Sequence, residues 1–156
     1  MTDIVKGRMT ADLDREVVVF LIGMRINHFW KVHKWWPVAT AMPRMIRELY
    51  AHPESGFLHT ESWFGRTTIM VQYWQSFDHL EAYAKNRDHA HLPAWAAFNK
   101  HVGNNGDVGI WHETYRVSPG NFEAIYSNMP PFGMARTARL VEAIGRRNSA
   151  RERLLT

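Results

Sequence analysis

The densest apolar stretch of the chain is Glu16 to Ile26 (EVVVFLIGMRI), and it carries no polar alternation. Val17, Val19, Leu21 and Gly23 fall on one side of an extended chain, and Val18, Phe20, Ile22 and Met24 on the other. Such a run predicts a strand buried on both faces. Residues 38 to 50 (VATAMPRMIRELY) switch to helical spacing, with Pro43 placed in the first turn or at a kink because it has no N–H to donate. His52-Pro53-Glu54-Ser55-Gly56 reads as a turn, and two strands, 57 to 64 and 67 to 74, flank Gly65-Arg66 as a short hairpin. Ser76 is placed to cap a helix running to about Lys85; after a break at 86 to 91 a second helical piece spans 92 to 102. Val108 to Val117 is a long strand, 122 to 127 a short edge strand, and Pro130-Pro131 a rigid turn before the tail.

The order strand, helix, strand, strand, broken helix, strand predicts an α+β, ferredoxin-like split βαβ sandwich over residues 1–135. Helices then cover one sheet face only. The first strand is nevertheless apolar on both, and Trp111, Tyr115 and Val117 share the uncovered face. A second copy packing sheet to sheet, hence a homodimer, is the expected cover.

Composition narrows the function classes. The hydrophobic fraction of 46% with 22% charged residues is that of a globular domain, and 156 residues suffice for one core. The absence of cysteine removes thiolate nucleophiles and thiolate metal ligands. No signal-peptide run opens the chain and no segment is long and apolar enough for a bilayer, so a cytoplasmic protein with no membrane partner is expected. The net charge of +4 is concentrated in residues 136–156, where Arg136, Arg139, Arg146, Arg147, Arg151 and Arg153 face only two acids, Glu142 and Glu152. This reads as a solvated, helical tail; no nucleic-acid motif accompanies it, and no nucleic-acid partner is expected. Phosphate loops, nucleophile elbows and paired carboxylates are missing as well.

Candidate chemistry collects between Arg87 and Tyr115. His112 shares a strand face with Val108, Ile110 and Thr114, so its imidazole is expected to point beneath the helices. There it is either a core histidine satisfied by a carbonyl or an acid–base group. His91 stands just before a helix with Pro93 in its first turn. His89 with His112 offers only an incomplete metal set, because Glu113 faces the other side of the strand. Arg25 and Asn27, at the end of the first strand, are placed to orient a substrate oxygen or simply to reach solvent. Trp95, Phe98 and Ile110 are the candidate apolar lining of a substrate pocket.

The segments VVVFLIGMRIN (17–27), Trp35-Trp36, HAHLPAWAAFNK (89–100), VGIWHETY (108–115) and NFEAIYSNMPPFG (121–133) resemble the monooxygenase-like family of the dimeric α/β-barrel superfamily. That family includes fumagillin-pathway relatives of the antibiotic-biosynthesis monooxygenases. The resemblance implies an oxidoreductase acting on a hydrophobic small metabolite held between sheet and helices. A second, local similarity is to haem-dependent aldoxime dehydratases, which carry a helix-opening histidine on the iron and a strand histidine in a Trp/Tyr-His-Glu setting. His91 and His112, 21 residues apart, stand in matching places. It implies His91 as haem ligand and His112 as acid–base; Asp88 is close enough in sequence to His91 to be its hydrogen-bond partner. Three functions are therefore carried forward: a monooxygenase, with or without haem; a haem-dependent lyase; and a non-catalytic haem or small-ligand binding protein.

Overall fold

The computed structural model describes residues 3–86 and 91–155. In chain order its elements are strands β1 (Val5–Asp12) and β2 (Val17–Ile26), helix α1 (Val32–Ala51), strands β3 (Phe57–Trp63) and β4 (Ile69–Trp74), and helices α2 (Phe77–Lys85) and α3 (His91–His101). Strands β5 (Val108–Val117), β6 (Tyr126–Met129) and β7 (Arg139–Glu142) follow, and then the single helical turn α4 (Ala150–Arg153). The larger sheet is antiparallel with order β3-β4-β2-β5. α1 links β2 to β3, and α2 with α3 links β4 to β5. This is the ferredoxin-like arrangement.

β2 is the central strand because it is the one that both faces need. Val17 and Val18 are both fully buried, on opposite sides of the sheet. Val18 packs with Trp74, Leu49, Phe57, Leu80 and Tyr83 under α1 and α2. Gly23 is required where β2 meets the hairpin: a Cβ there would lie 2.0 Å from the Thr68 carbonyl oxygen and 2.7 Å from the Trp111 indole nitrogen. The hairpin connection is longer than the expected two residues. Thr67 and Thr68 leave β4 to bond β2, with the Thr68 amide donating to the Met24 carbonyl and Thr68 Oγ1 accepting from the Met24 amide. α1 begins six residues earlier than its spacing suggests and contains both Pro37 and Pro43. Ser76 caps α2 as anticipated, its hydroxyl accepting from the His79 amide.

The second sheet, order β6-β1-β7, was not visible in the apolar pattern. It lies over the sheet face that the helices leave open, where Ala11, Leu13 and Met134 pack against Val17 and Tyr73. The expected cover by a second copy is thus supplied, over this part of the face, by the chain itself. The short edge strand falls at 126–129 rather than 122–127, paired with β1.

The Arg-rich segment 136–156 is not a helical tail outside a 1–135 domain. It contributes β7, which pairs with β1 from Met9↔Glu142 to Asp12↔Arg139, and past Arg136 its helical content is one 3-10 turn at Gly145–Arg147 and the turn α4. Its charges find distant carboxylates: Arg139 and Arg147 both donate to Asp12, and the buried Arg153 donates through Nε and Nη2 to Glu123 Oε2 at 2.9 and 2.7 Å. No helix among the described residues is long and apolar enough to cross a membrane.

Candidate functional site

A cavity of about 380 Å³ lies between the larger sheet and the pair α1–α3. Its floor is Ile22, Gly23 and Met24 of β2 with Ile110 of β5. One wall is the α1 stripe Lys34, Pro37, Val38, Ala41, Arg44 and Met45; the other is Pro93, Ala94, Trp95, Ala97 and Phe98 of α3. The α1 residues recur at helical spacing, which puts them on one face of that helix. Trp95 and Phe98 stack with ring centroids 5.5 Å apart. Below the cavity, Met24, Ile26, Val102 and Val108 form a small buried core that seats the end of α3 on the sheet. The volume and lining suit a small, mostly apolar ligand.

The junction below this cavity is pinned by Asp107, which is 4% exposed. Its carboxylate accepts from Lys31 Nζ at 2.6 Å and lies 3.0 Å from His28 Nδ1. Lys31, and secondarily His28, hold this carboxyl below the usual carboxylate range. Asn27 Nδ2 donates to the Gly106 carbonyl at 2.9 Å and Trp35 Nε1 to the Phe29 carbonyl at 3.0 Å. These contacts tie the loop before α1 to the loop before β5, so the two walls hold a fixed spacing.

The site residues anticipated from sequence divide between cavity and surroundings. Trp95, Phe98 and Ile110 line the cavity. Arg25 and Asn27 do not. Arg25 lies across β2 from Met24 and Ile26, exposed, with Nη1 donating to Thr67 Oγ1 at 2.7 Å, while Asn27 is spent on the loop contact above. Strand alternation explains both: the face they share with Gly23 is the one turned away from the helices.

His112 is on the anticipated face, opposite Ile22 and two residues beyond Ile110, but it is exposed rather than buried. α1 and α3 cover the start of β5, at Val108 and Ile110, and β5 is the outermost strand, so none of the described helices roofs its second half. The imidazole meets the Phe20 ring at 5.6 Å between centroids and makes no hydrogen bond to the described residues. It flanks the cavity floor without lining it.

His91 opens α3, and Pro93 to Phe98 of the next turns form the cavity wall. The side chain of His91 and all of Asp88 and His89 lie outside the described residues. Glu113 faces away from His112 and accepts from Tyr115. Among the described residues no three His, Cys, Asp or Glu side chains converge on a point where a metal would sit. Sequence reasoning missed the whole α1 wall, Arg44 included. Its signal was the recurrence of 34, 37–38, 41 and 44–45, obscured by two prolines.

A family model described as monooxygenase af470-like matches residues 17–134, from the first residue of β2 to just past β6. The chain belongs to the monooxygenase af470-like family. Monooxygenase af470 of Aspergillus fumigatus is 28% identical over 166 aligned positions, covering 87% of this chain and 56% of that protein. A crystal structure of aldoxime dehydratase superposes with a TM-score of 0.69 at 16% identity, over 92% of this chain and 45% of that one. This second likeness shows the fold. The chain spans about half the length of either protein. In this af470-like chain the family match takes in every cavity-lining residue, and leaves β1 and β7 outside it.

Proposed function

We propose that the chain is a monooxygenase-type oxidoreductase that holds a hydrophobic small molecule in the cavity between the larger sheet, α1 and α3. The observation that carries this reading is the cavity: apolar, of ligand size, and walled by residues inside the family match. Among the described residues its lining offers no carboxylate and no imidazole, which suits chemistry residing in the substrate and oxygen. His112 is the base of this reading. Exposed beside Ile110, it exchanges protons with water and can reach a ligand that extends past the cavity floor. It removes a proton from an activated methylene; the carbanion reduces dioxygen, and the resulting hydroperoxide collapses to a ketone and water.

Anthrone, whose methylene becomes the second carbonyl of anthraquinone with one water released, is a probe for this step. Oxygen uptake should match quinone formation one to one. His112→Ala should lower the turnover number about 10²- to 10⁴-fold while leaving ligand affinity in place. Equal turnover in the variant would remove His112 from the chemistry, and no turnover with tight binding would favour a non-catalytic binding protein.

A haem-dependent reading, monooxygenase or aldoxime-dehydrating lyase, is favoured by the position of His91 at the start of the helix that walls the cavity. The apolar walls and the cations Lys34 and Arg44 match the amphipathic chemistry of a porphyrin dicarboxylate. Haem would supply a redox-active iron; Trp95 and Phe98 would pack its ring. A Soret band on adding hemin, shifted by His91→Ala, is the expected result, and a flat spectrum would discard both haem functions. A second copy of the chain remains the partner we propose for β5, whose outer edge and half-exposed Tyr115 lie uncovered.

A further inference from the structure

Among the described residues, charge of one sign only lines the cavity. Its titratable lining residues are Lys34 and Arg44, both on α1, set among apolar side chains such as Met24, Met45, Trp95 and Phe98. Four other arginines find carboxylates on distant segments: Arg116 with Glu16, Arg139 and Arg147 with Asp12, and Arg153 with Glu123. Arg44 makes no hydrogen bond or ion pair among the described residues. It stands exposed on the cavity wall, next to Met45 and one turn from Ala41.

A guanidinium keeps its charge at every pH the protein meets, and its planar fork fits two oxygens of one anion. A neutral apolar ligand leaves that fork in water and gains nothing from it. A ligand with an anionic group at one end buries its body among the apolar walls and exchanges hydration of the charge for paired N–H donors. Lys34 lies ten residues from Arg44, about 15 Å along the helix, so the two cations do not converge and one anionic group suffices at Arg44.

We infer that the cavity takes an amphipathic anion, a flat apolar body bearing a carboxylate, sulfonate or enolate, with Arg44 receiving the charge. This rests on the reading of the cavity as the ligand site. It also bears on the proposed reaction, because a fixed cation at the cavity wall stabilises the deprotonated, oxygen-reactive form of an enolisable substrate relative to the neutral one.

Two fluorescent dyes of one skeleton test it: 8-anilinonaphthalene-1-sulfonate, and N-phenyl-1-naphthylamine, which lacks the sulfonate. The intact chain should bind the anionic dye about tenfold more tightly than the neutral one, and Arg44→Gln should remove that preference while leaving the neutral dye's affinity unchanged. Added salt should erode the preference in the same direction. Equal affinity for both dyes, or a preference untouched by Arg44→Gln, overturns the inference and leaves the cavity reading standing. Ile110→Trp separates the two failures: neutral-dye binding that ignores this cavity-filling change overturns the cavity reading itself. Competition arms with 2-naphthoate and with hemin then distinguish a free aromatic acid from a porphyrin dicarboxylate; Arg44-dependent displacement by either one supports the inference.

Discussion

The helix-covered face of the larger sheet has two halves built to different standards. Towards β3 and β4 it is solid. Trp74 is fully buried, with Phe57 edge-on at 5.3 Å and Tyr83 at 5.7 Å, and its indole nitrogen donates to Gln72 at 3.1 Å. Towards β5 the same layer is hollow, with Trp95 46% exposed and the 380 Å³ cavity beneath it. The covering helices explain the contrast. α2 sends Leu80 and Tyr83, one turn apart, into the sheet, whereas α3 (HLPAWAAFNKH) presents mostly alanines around one stacked aromatic pair that is partly exposed. One half of the face supplies stability, so the other half can stay open for a ligand.

The largest effect should come from the solid half. Trp74→Ala removes a fully buried indole and strands Gln72, and should cost about 3–5 kcal/mol in chemical denaturation. Phe98→Ala in the hollow half should cost only about 1–2 kcal/mol, because its neighbours already border empty space, while weakening ligand binding. If the two losses were equal, the contrast between the halves would fail. Ile110→Trp sharpens it further. Filling the cavity floor should change stability by less than about 1 kcal/mol and abolish dye binding.

Acid titration reads the clamp that spaces the cavity walls. The Asp107 carboxyl is lowered by Lys31 and His28, so its contribution is present above the unfolded-state value near 4 and drains away as pH falls through the lowered folded value. The stability gap between the intact chain and Asp107→Asn should therefore hold from about pH 7 to 5 and shrink below about pH 4. Tyr73 gives a signal at the alkaline end. Burial pushes its phenol up to about 12, so the neutral form favours folding below pH 10, and that contribution fades between pH 10 and about 12. Phenolate absorbance against pH checks it, and a Tyr73→Phe chain should lack that alkaline step.

The sequence by itself determined the ferredoxin-like sheet and most of its borders. β5 runs over the anticipated 108–117, and Ser76 caps α2 where its hydroxyl predicted a helix start. It also pointed to Trp95, Phe98 and Ile110, because large apolar side chains at strand and helix spacing mark the face an element turns towards the rest of the fold. These features are local: each is written within one turn or one strand of the residue concerned.

The tertiary structure alone decided the rest. β1 and β7 lie about 130 residues apart in the chain and read as polar and charged until Asp12 meets Arg139 and Arg147. His112 is on the predicted face yet exposed, since strand alternation sets a direction while the reach of α1 and α3 sets what covers it. Arg25 and Asn27 share a face with Gly23, and only the folded layers show that this face turns from the cavity. Burial and charge pairing are properties of distant segments brought together, so no window of local sequence contains them.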